Sequence, residues 1–472
     1  LKTAVIGAGP AGITAAYELA KAGITVDLYE ASACVGGLAR TIELWGMKAD
    51  IGPHRFFSHD SRVNRLWLEV VKDDYRMVNR LTRIYYNGRF FQYPLRPLNA
   101  LQQLGSQEAV KCMASFAAQK IRPLRLNGSF ENWVINRFGK RLFEIFFKTY
   151  SEKLWGISCA DLDDDFAAQR IKKLSLFEAV KNSLMQGRGN KHQTLVDSFA
   201  YPTGGTGMVY DRMAESILKS GNRILLNTPV EKVVTSKGTV TGIVSGGGIF
   251  SAYDNVISSM PLTRLVGTLD EAPSAIRDAA ASLTFRNAIM VYLLVEGADL
   301  FPDNWLYIHS ADLKTGRITN FRNWVPDLYA GKNDSVLMLE YWCNGDEPFW
   351  KSADSYLISL ASEELNKTGL IKGKKILDGH VLRIPKCYPV YRKGYRSSLQ
   401  PVEEYLTGIR NLQVIGRFGA FKYNNQDHSM LMGKLAAENI ISGAGHNLWA
   451  INTDYDDYQE RSVITGKGLQ PE

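Results

Sequence analysis

Hydrophobic positions along this chain fall into runs of different period. Thr3–Ile6 is a short, largely apolar run that ends abruptly in glycines. From Pro10 to Lys21 the apolar positions recur at helical spacing, Gly23 interrupts them, and Ile24–Tyr29 alternates with the period of a strand. Beyond Asp60 helical spacing dominates to about Leu195, with helices predicted at Val63–Val71, Leu98–Leu104, Glu108–Lys120, Phe130–Thr149 and Phe177–Leu184. One hairpin, Leu81–Tyr86 with Arg89–Tyr93, is interposed and turns at Asn87-Gly88. The polar run Gln186–Gln193 reads as a flexible loop. Tyr201–Gly207 opens a further helix, and Ile224–Val234, Thr239–Ser245 and Asn255–Ser259 read as short strands. Residues 270–390 are strand-rich with alternating aromatics, and 410–442 repeat strand, Gly416 and helix from about Ser429. The charged tail after Asn452 reads as loosely held.

The first glycines carry chemistry. Gly7, Gly9 and Gly12 stand in G-x-G-x-x-G order between a strand and a helix, and Glu30 closes the next strand. Gly7 allows the tight turn, Gly9 lets backbone approach a pyrophosphate, and Gly12 lets helix and strand pack closely. The helix start, Pro10-Ala11, offers free N–H groups to phosphates, and Glu30, followed by Ala31, is placed to accept from a ribose. Downstream, Gly36-Gly37-Leu38-Ala39-Arg40 adds a second glycine loop. That loop distinguishes an FAD site from a plain NAD site, with Arg40 on a phosphate. His54, between a glycine and aromatics in Gly52–Phe57, is expected against the flavin ring, although a lone His is more often structural.

Composition narrows the class. The 472 residues are 45% hydrophobic with 22 Tyr, 20 Phe and 9 Trp, enough for two or three domains and an aromatic-lined pocket. The net charge of +8 comes from scattered Lys and Arg, which fits a basic cleft for a phosphorylated ligand better than a nucleic-acid patch. A weak attraction to membrane surfaces stays open. Five dispersed cysteines without a CxxC predict neither disulfides nor a metal site. No apolar stretch is long enough to span a membrane, and a reducing, cytoplasmic setting is expected.

Seven motifs make the reading specific: GPHRFFSHD (52–60), NGRFFQYPL (87–95), KTYSEKLWG (148–156), YPTGGTG (201–207), NWLYIHS (304–310), GRITNFRNW (316–324) and GRFGAFKYNNQDHSMLMG (416–433). In this order the chain resembles the UDP-galactopyranose mutase family, closer to its eukaryotic-type branch, within the amine-oxidase-like FAD-dependent superfamily. The resemblance implies an α/β protein: a discontinuous Rossmann-like FAD-binding domain (1–70, 196–270, 395–450), an inserted, mainly helical domain with a mobile loop (71–195), an antiparallel β-sheet substrate domain (271–394) and a tail (451–472). It implies interconversion of pyranose and furanose forms of a nucleotide sugar, with reduced flavin N5 as nucleophile at the anomeric carbon and NADH or NADPH as reductant. A functional link to glycosyltransferases follows from the same likeness.

The family's site residues map onto His54, Arg170 and Arg317 as catalytic positions. Tyr150, Trp155, Tyr307, Trp324, Tyr395 and Tyr423, with the two arginines, map onto the substrate site. Gly205, Thr206, Val230, Arg417, Asn425, Gln426, Asp427 and Ser429 complete the FAD shell, with Asp427 or Ser429 expected to cap the last helix. A planar guanidinium fork suits a pyrophosphate better than Lys does. Taken singly, each Arg is more often a surface ion pair and each aromatic more often core; their occurrence together in family order reverses that. Pro53, Trp324, Arg96 and a short Tyr423–Gln426 segment depart from the family pattern and leave the base and sugar open. Two other readings stand beside this one: an oxidase or desaturase of the amine-oxidase or protoporphyrinogen-oxidase type, and a non-catalytic flavin-bound partner of a glycosyltransferase.

Overall fold

The computed structural model describes residues 1–95, 97–165, 198–451 and 464–469. Its first sheet is wholly parallel. The five strands lie in the order Leu412–Val414, Asn255–Ser258, Lys2–Ile6, Thr25–Tyr29, Arg223–Leu225. Distant stretches of chain therefore assemble one nucleotide-binding sheet. The fingerprint helix Pro10–Lys21 packs against it, flanked by helices Gly207–Lys219 and Gln426–Ser442. Gly12 and Gly433 make this packing close: a Cβ at Gly12 would lie 1.9 Å from the Gly7 carbonyl oxygen, and one at Gly433 2.2 Å from that of Ala11.

A second sheet has seven strands, ordered Ile376–Pro389, Phe285–Val295, Ser335–Cys343, Arg317–Asn320, Trp305–Ile308, Thr82–Tyr86, Arg89–Gln92. Strand alternation splits its side chains between two cores. Ile289, Val291 and Leu293 face the helix Asp354–Thr368, while Ala288, Met290 and Tyr292 face the main core. The strands within 271–394 pair antiparallel throughout, as expected. One addition is unexpected: Trp305–Ile308 also pairs in parallel with Thr82–Tyr86. The hairpin at 82–92 thereby joins this sheet, rather than staying with the helices among which it lies in sequence. Its turn is as expected, with Asn87 and Gly88 both at positive φ.

The helix predicted over Phe130–Thr149 is several elements. Phe130–Phe138 ends at Gly139, whose φ is +83°, and a Cβ there would meet the Phe116 amide nitrogen at 2.8 Å. Chain then continues as Lys140–Phe143, a π-helical turn at Glu144–Lys148 and the helix Thr149–Trp155. Likewise Ile224–Val234 is two strands, Arg223–Leu225 and Val230–Ser236, parted around Pro229. Within the tail, the described residues 464–469 are anchored: Ile464 is buried and the Tyr75 hydroxyl donates to the Thr465 carbonyl at 2.8 Å. All five cysteines are free thiols. Among the described residues no helix is long and apolar enough to cross a membrane.

Candidate active site

A cavity of about 420 Å³ runs from the fingerprint turn to the seven-stranded sheet. At one end are Gly7, Gly9, Pro10 and Ala11, facing Gly37, Leu38 and Ala39 of the second glycine loop. A Cβ at Gly37 would lie 2.8 Å from the Gly9 Cα, so the two loops touch where side chains would block the cleft. Glu30 lines the same end with Ala31 and Val230. Its Oε2 accepts from the Ala8 amide at 2.7 Å and its Oε1 from the Ser32 amide at 2.9 Å, which holds the carboxylate at the strand end.

Toward the middle, His54 enters between Gly52 and the last helix. Gly52 is required there, since its Cβ would lie 2.9 Å from the imidazole Cε1. Burial, helped by the nearby Arg317 and Arg417 charges, lowers the His54 pKa to about 3, so the ring is neutral. The Thr206 hydroxyl donates to the His54 carbonyl at 2.9 Å, and the Gln426 amide donates to the Arg55 carbonyl at 3.0 Å. Behind this segment Asp50 is fully buried. It accepts from the Thr41 hydroxyl at 2.6 Å, the Tyr201 hydroxyl at 2.8 Å and the Thr206 amide at 3.1 Å.

The far end is basic and aromatic. Arg317 lies in the strand Arg317–Asn320, and its Nε donates to Glu340 Oε2 at 2.7 Å. Nη2 also reaches Glu340, leaving Nη1 without a partner among the described residues. Glu340 is buried in Ser335–Cys343 and further accepts from the Tyr388 hydroxyl at 2.6 Å and the Trp342 indole at 2.7 Å. Burial opposes both charges, yet their mutual attraction holds Arg317 above its ordinary pKa and Glu340 below its own. Arg417 lies over the rings of Tyr423 and Tyr388, 4.4 and 4.7 Å from their centroids. Its Nη1 donates to the Asn424 carbonyl at 3.1 Å, while Nε and Nη2 are buried without partners among the described residues. Tyr307 completes this wall against Tyr93, ring centroids 4.7 Å apart.

A model of flavin-containing amine oxidoreductases matches residues 10–369. The chain belongs to that family. Coproporphyrinogen III oxidase of Mycobacterium tuberculosis is 25% identical to this flavoprotein over 454 residues, covering 88% of this chain and 95% of the relative. Zeta-carotene desaturase of Zea mays is 36% identical over 110 residues, 22% of this chain and 19% of the relative. Among solved structures, reduced UDP-galactopyranose mutase superposes with a TM-score of 0.84 at 23% identity, covering 96% of this chain and 97% of that one. At that identity the likeness is one of fold.

The site fits the family's FAD. Facing glycines leave a backbone cradle at a helix N-terminus, Glu30 lines the end suited to a ribose, and Arg417 presents two orphaned buried donors. Asn425, Gln426 and Ser429 line the cavity at the start of the last helix. That helix begins earlier than expected, at Gln426. Asn425 occupies the cap position without a side-chain capping bond, and Asp427 and Ser429 lie in the first turn rather than capping it.

Several expected site residues stand one layer back. Gly12 is buried in the helix–strand contact, and Gly36 donates its amide to the Ala8 carbonyl. Arg40 donates Nη1 to Cys34 Sγ at 3.2 Å and does not line the cavity. Gly205 and Thr206 brace Thr41 and His54 instead of lining it. Tyr150 backs Tyr307 and stacks on His309, centroids 4.8 Å apart. Trp155 is buried against Tyr391 and Tyr423. Trp324 packs on Tyr201 and Phe199, and Tyr395 on Tyr391. Asp427 is buried beside His428. Arg170 lies outside the described residues, as do the Gln186–Gln193 loop and the Phe177–Leu184 helix. The sequence reading does not select several residues of the lining, among them the polar side chains Arg55, Arg80, Tyr93 and Arg264. Arg55 and Tyr93 sit inside quoted motifs and were findable; Arg80 and Arg264 carry no local signal.

Proposed function

We propose that this flavoprotein is a nucleotide-sugar mutase interconverting pyranose and furanose forms. The carrying observation is the concentration of arginines in the cleft. Arg55, Arg80, Arg264, Arg317 and Arg417 line it, against one carboxylate among the described residues, that of Glu30. Guanidinium forks take a diphosphate well, and an apolar oxidase substrate has no use for them. Bound and reduced, FAD would supply a nitrogen nucleophile for the anomeric carbon with no net redox change.

The chain's own residues would then bind, orient and stabilise charge. Arg317 turns its unpartnered Nη1 edge to the leaving diphosphate while Glu340 fixes the plane of the fork. Arg417, which lines the cavity, would offer its two orphaned donors to the bound cofactor or substrate. Tyr307 and Tyr423 add hydroxyls and ring faces. His54, neutral and in the cavity lining, would serve the flavin as a hydrogen-bonding and packing group rather than as a charge. NADH or NADPH would reduce the cofactor.

The test is isomerisation of UDP-galactofuranose, and of other nucleotide sugars, by the dithionite-reduced holoprotein. Conversion is expected only in the reduced state, with kcat/KM reduced by at least about a hundredfold in Arg317→Ala, the scale of losing a charge-stabilising donor. Arg170→Ala tests the matching position outside the described residues. Stoichiometric oxidation of a substrate with oxygen consumption would overturn the proposal. That second reading, oxidation of a carboxylate-bearing molecule, is favoured by the near full-length match to coproporphyrinogen III oxidase, because the same arginine forks accept carboxylates.

A further inference from the structure

The helix Ser106–Ile121 is oriented against the usual rule. Val110, Met113, Ala114, Ala117, Ala118 and Ile121 follow at helical spacing and are all exposed, so an apolar stripe faces solvent. Val110 and Ile121 are 68% and 79% exposed. The opposite face packs inward, with Cys112 buried and Phe116 close against Gly139. The turn that follows extends the stripe with Leu124 and Leu126, the latter 63% exposed. This turn is firmly held. Leu124 donates its amide to Asn136 Oδ1 and accepts from Asn136 Nδ2, both at 2.8 Å, and Asn132 Nδ2 donates to the Arg125 carbonyl at 2.9 Å. Its leucines are thus presented outward by fixed backbone. A continuous exposed apolar patch of this kind marks a contact surface.

Charge decides what it contacts. Lys111, Lys120, Arg122 and Arg125 are exposed around the stripe. The one acid on the segment, Glu108, is already engaged by Arg141 and Lys111. Arg122 and Arg125 have no side-chain partner among the described residues. Two copies of this face would bring like charges together, which disfavours self-association. Apolar side chains bordered by basic ones are what an anionic lipid surface takes from a helix lying in its plane. We propose that Ser106–Ile121 and the turn through Leu126 dock this protein on anionic membranes, lying in the interface without spanning it. The active-site cleft is then held at a lipid surface, whatever its substrate.

The test is sedimentation of the holoprotein with phosphatidylcholine vesicles, with and without about one third phosphatidylglycerol. Binding is expected only with the anionic lipid and should fade as salt screens the charges. Val110→Asp with Ile121→Glu should lower the bound fraction at least about tenfold, with bound flavin unchanged as the measure of folding. Arg122→Gln with Arg125→Gln should weaken anionic binding and flatten its salt dependence. Absent binding, or equal binding to neutral vesicles, would overturn the proposal. So would a dimer that Val110→Asp with Ile121→Glu dissociates while vesicle binding stays unchanged, since the stripe would then be a subunit contact.

Discussion

Arg317 and Glu340 show how one residue was readable and its partner was not. Arg317 sits in a distinctive motif, GRITNFRNW, which singles it out. Glu340 sits in SVLMLEYWC, a strand buried at every position, where a lone acid is itself a signal that was passed over. Strand pairing places the two directly opposite each other. A buried charge of this kind is tolerated because it is paired and its other lone pairs are filled, here by Tyr388 and Trp342. Removing one partner should therefore be costly. Glu340→Gln leaves Arg317 charged and poorly compensated, and about 3 kcal/mol of stability should be lost in urea unfolding. Adding Arg317→Met to that variant should recover part of the loss, although not activity. If the two single losses simply add in the double variant, the pair is not coupled and the orienting role of Glu340 falls.

Between elements, the deciding contacts are backbone to backbone. Helical and strand periods were legible wherever a segment is amphipathic, which is why Pro10–Lys21 and Thr239–Ser245 agree with their sequence reading. Breaks were harder to see. Phe130–Thr149 keeps helical spacing through Gly139, and only the close approach of Phe116 explains the interruption. The last helix starts at Gln426 rather than at about Ser429 because tertiary bonds from Tyr210 and to Arg55 hold Gln426 in helix. The crossing of that helix over Pro10–Lys21 depends on Gly433, whose added Cβ would strike the Ala11 carbonyl at 2.2 Å and the Ala15 amide at 3.0 Å. Gly433→Ala must push the helix away from the fingerprint turn. A loss of about 1–3 kcal/mol is expected, as for other overpacked sites. The purified variant should also carry less flavin per protein, read from the ratio of visible to ultraviolet absorbance. Full flavin content with unchanged stability would show that the crossing has slack.

Across the whole molecule, the parts were legible and their assembly was not. Sequence patterns locate a nucleotide-binding unit in pieces, a helical stretch and a strand-rich stretch, but no local signal says that the hairpin at 82–92 joins the distant sheet. Asp50 ties these layers together. Its carboxylate accepts from Thr41, Tyr201 and Thr206, and its carbonyl accepts from Tyr292 of the seven-stranded sheet at 3.0 Å. Burial raises the Asp50 pKa from 3.8 to about 6, against the lowering effect of its hydrogen bonds. The sign of the consequence follows from linkage. A carboxyl whose pKa is higher folded than unfolded binds its proton more tightly in the fold. Its stabilising effect is whole below about pH 4 and is lost as pH rises to about 6. A difference of this size corresponds to on the order of 2–3 kcal/mol. Asparagine has nearly the same shape, can accept from Thr206 and Thr41 through its oxygen, and can donate to the Tyr201 hydroxyl, but it does not titrate. Asp50→Asn should therefore gain stability relative to the native protein between pH 4 and pH 7, by that order of magnitude in denaturant melts at the two ends. Parallel pH profiles would mean that Asp50 ionises as an ordinary carboxyl. In that case the hydrogen bonds that join the layers offset the burial in full.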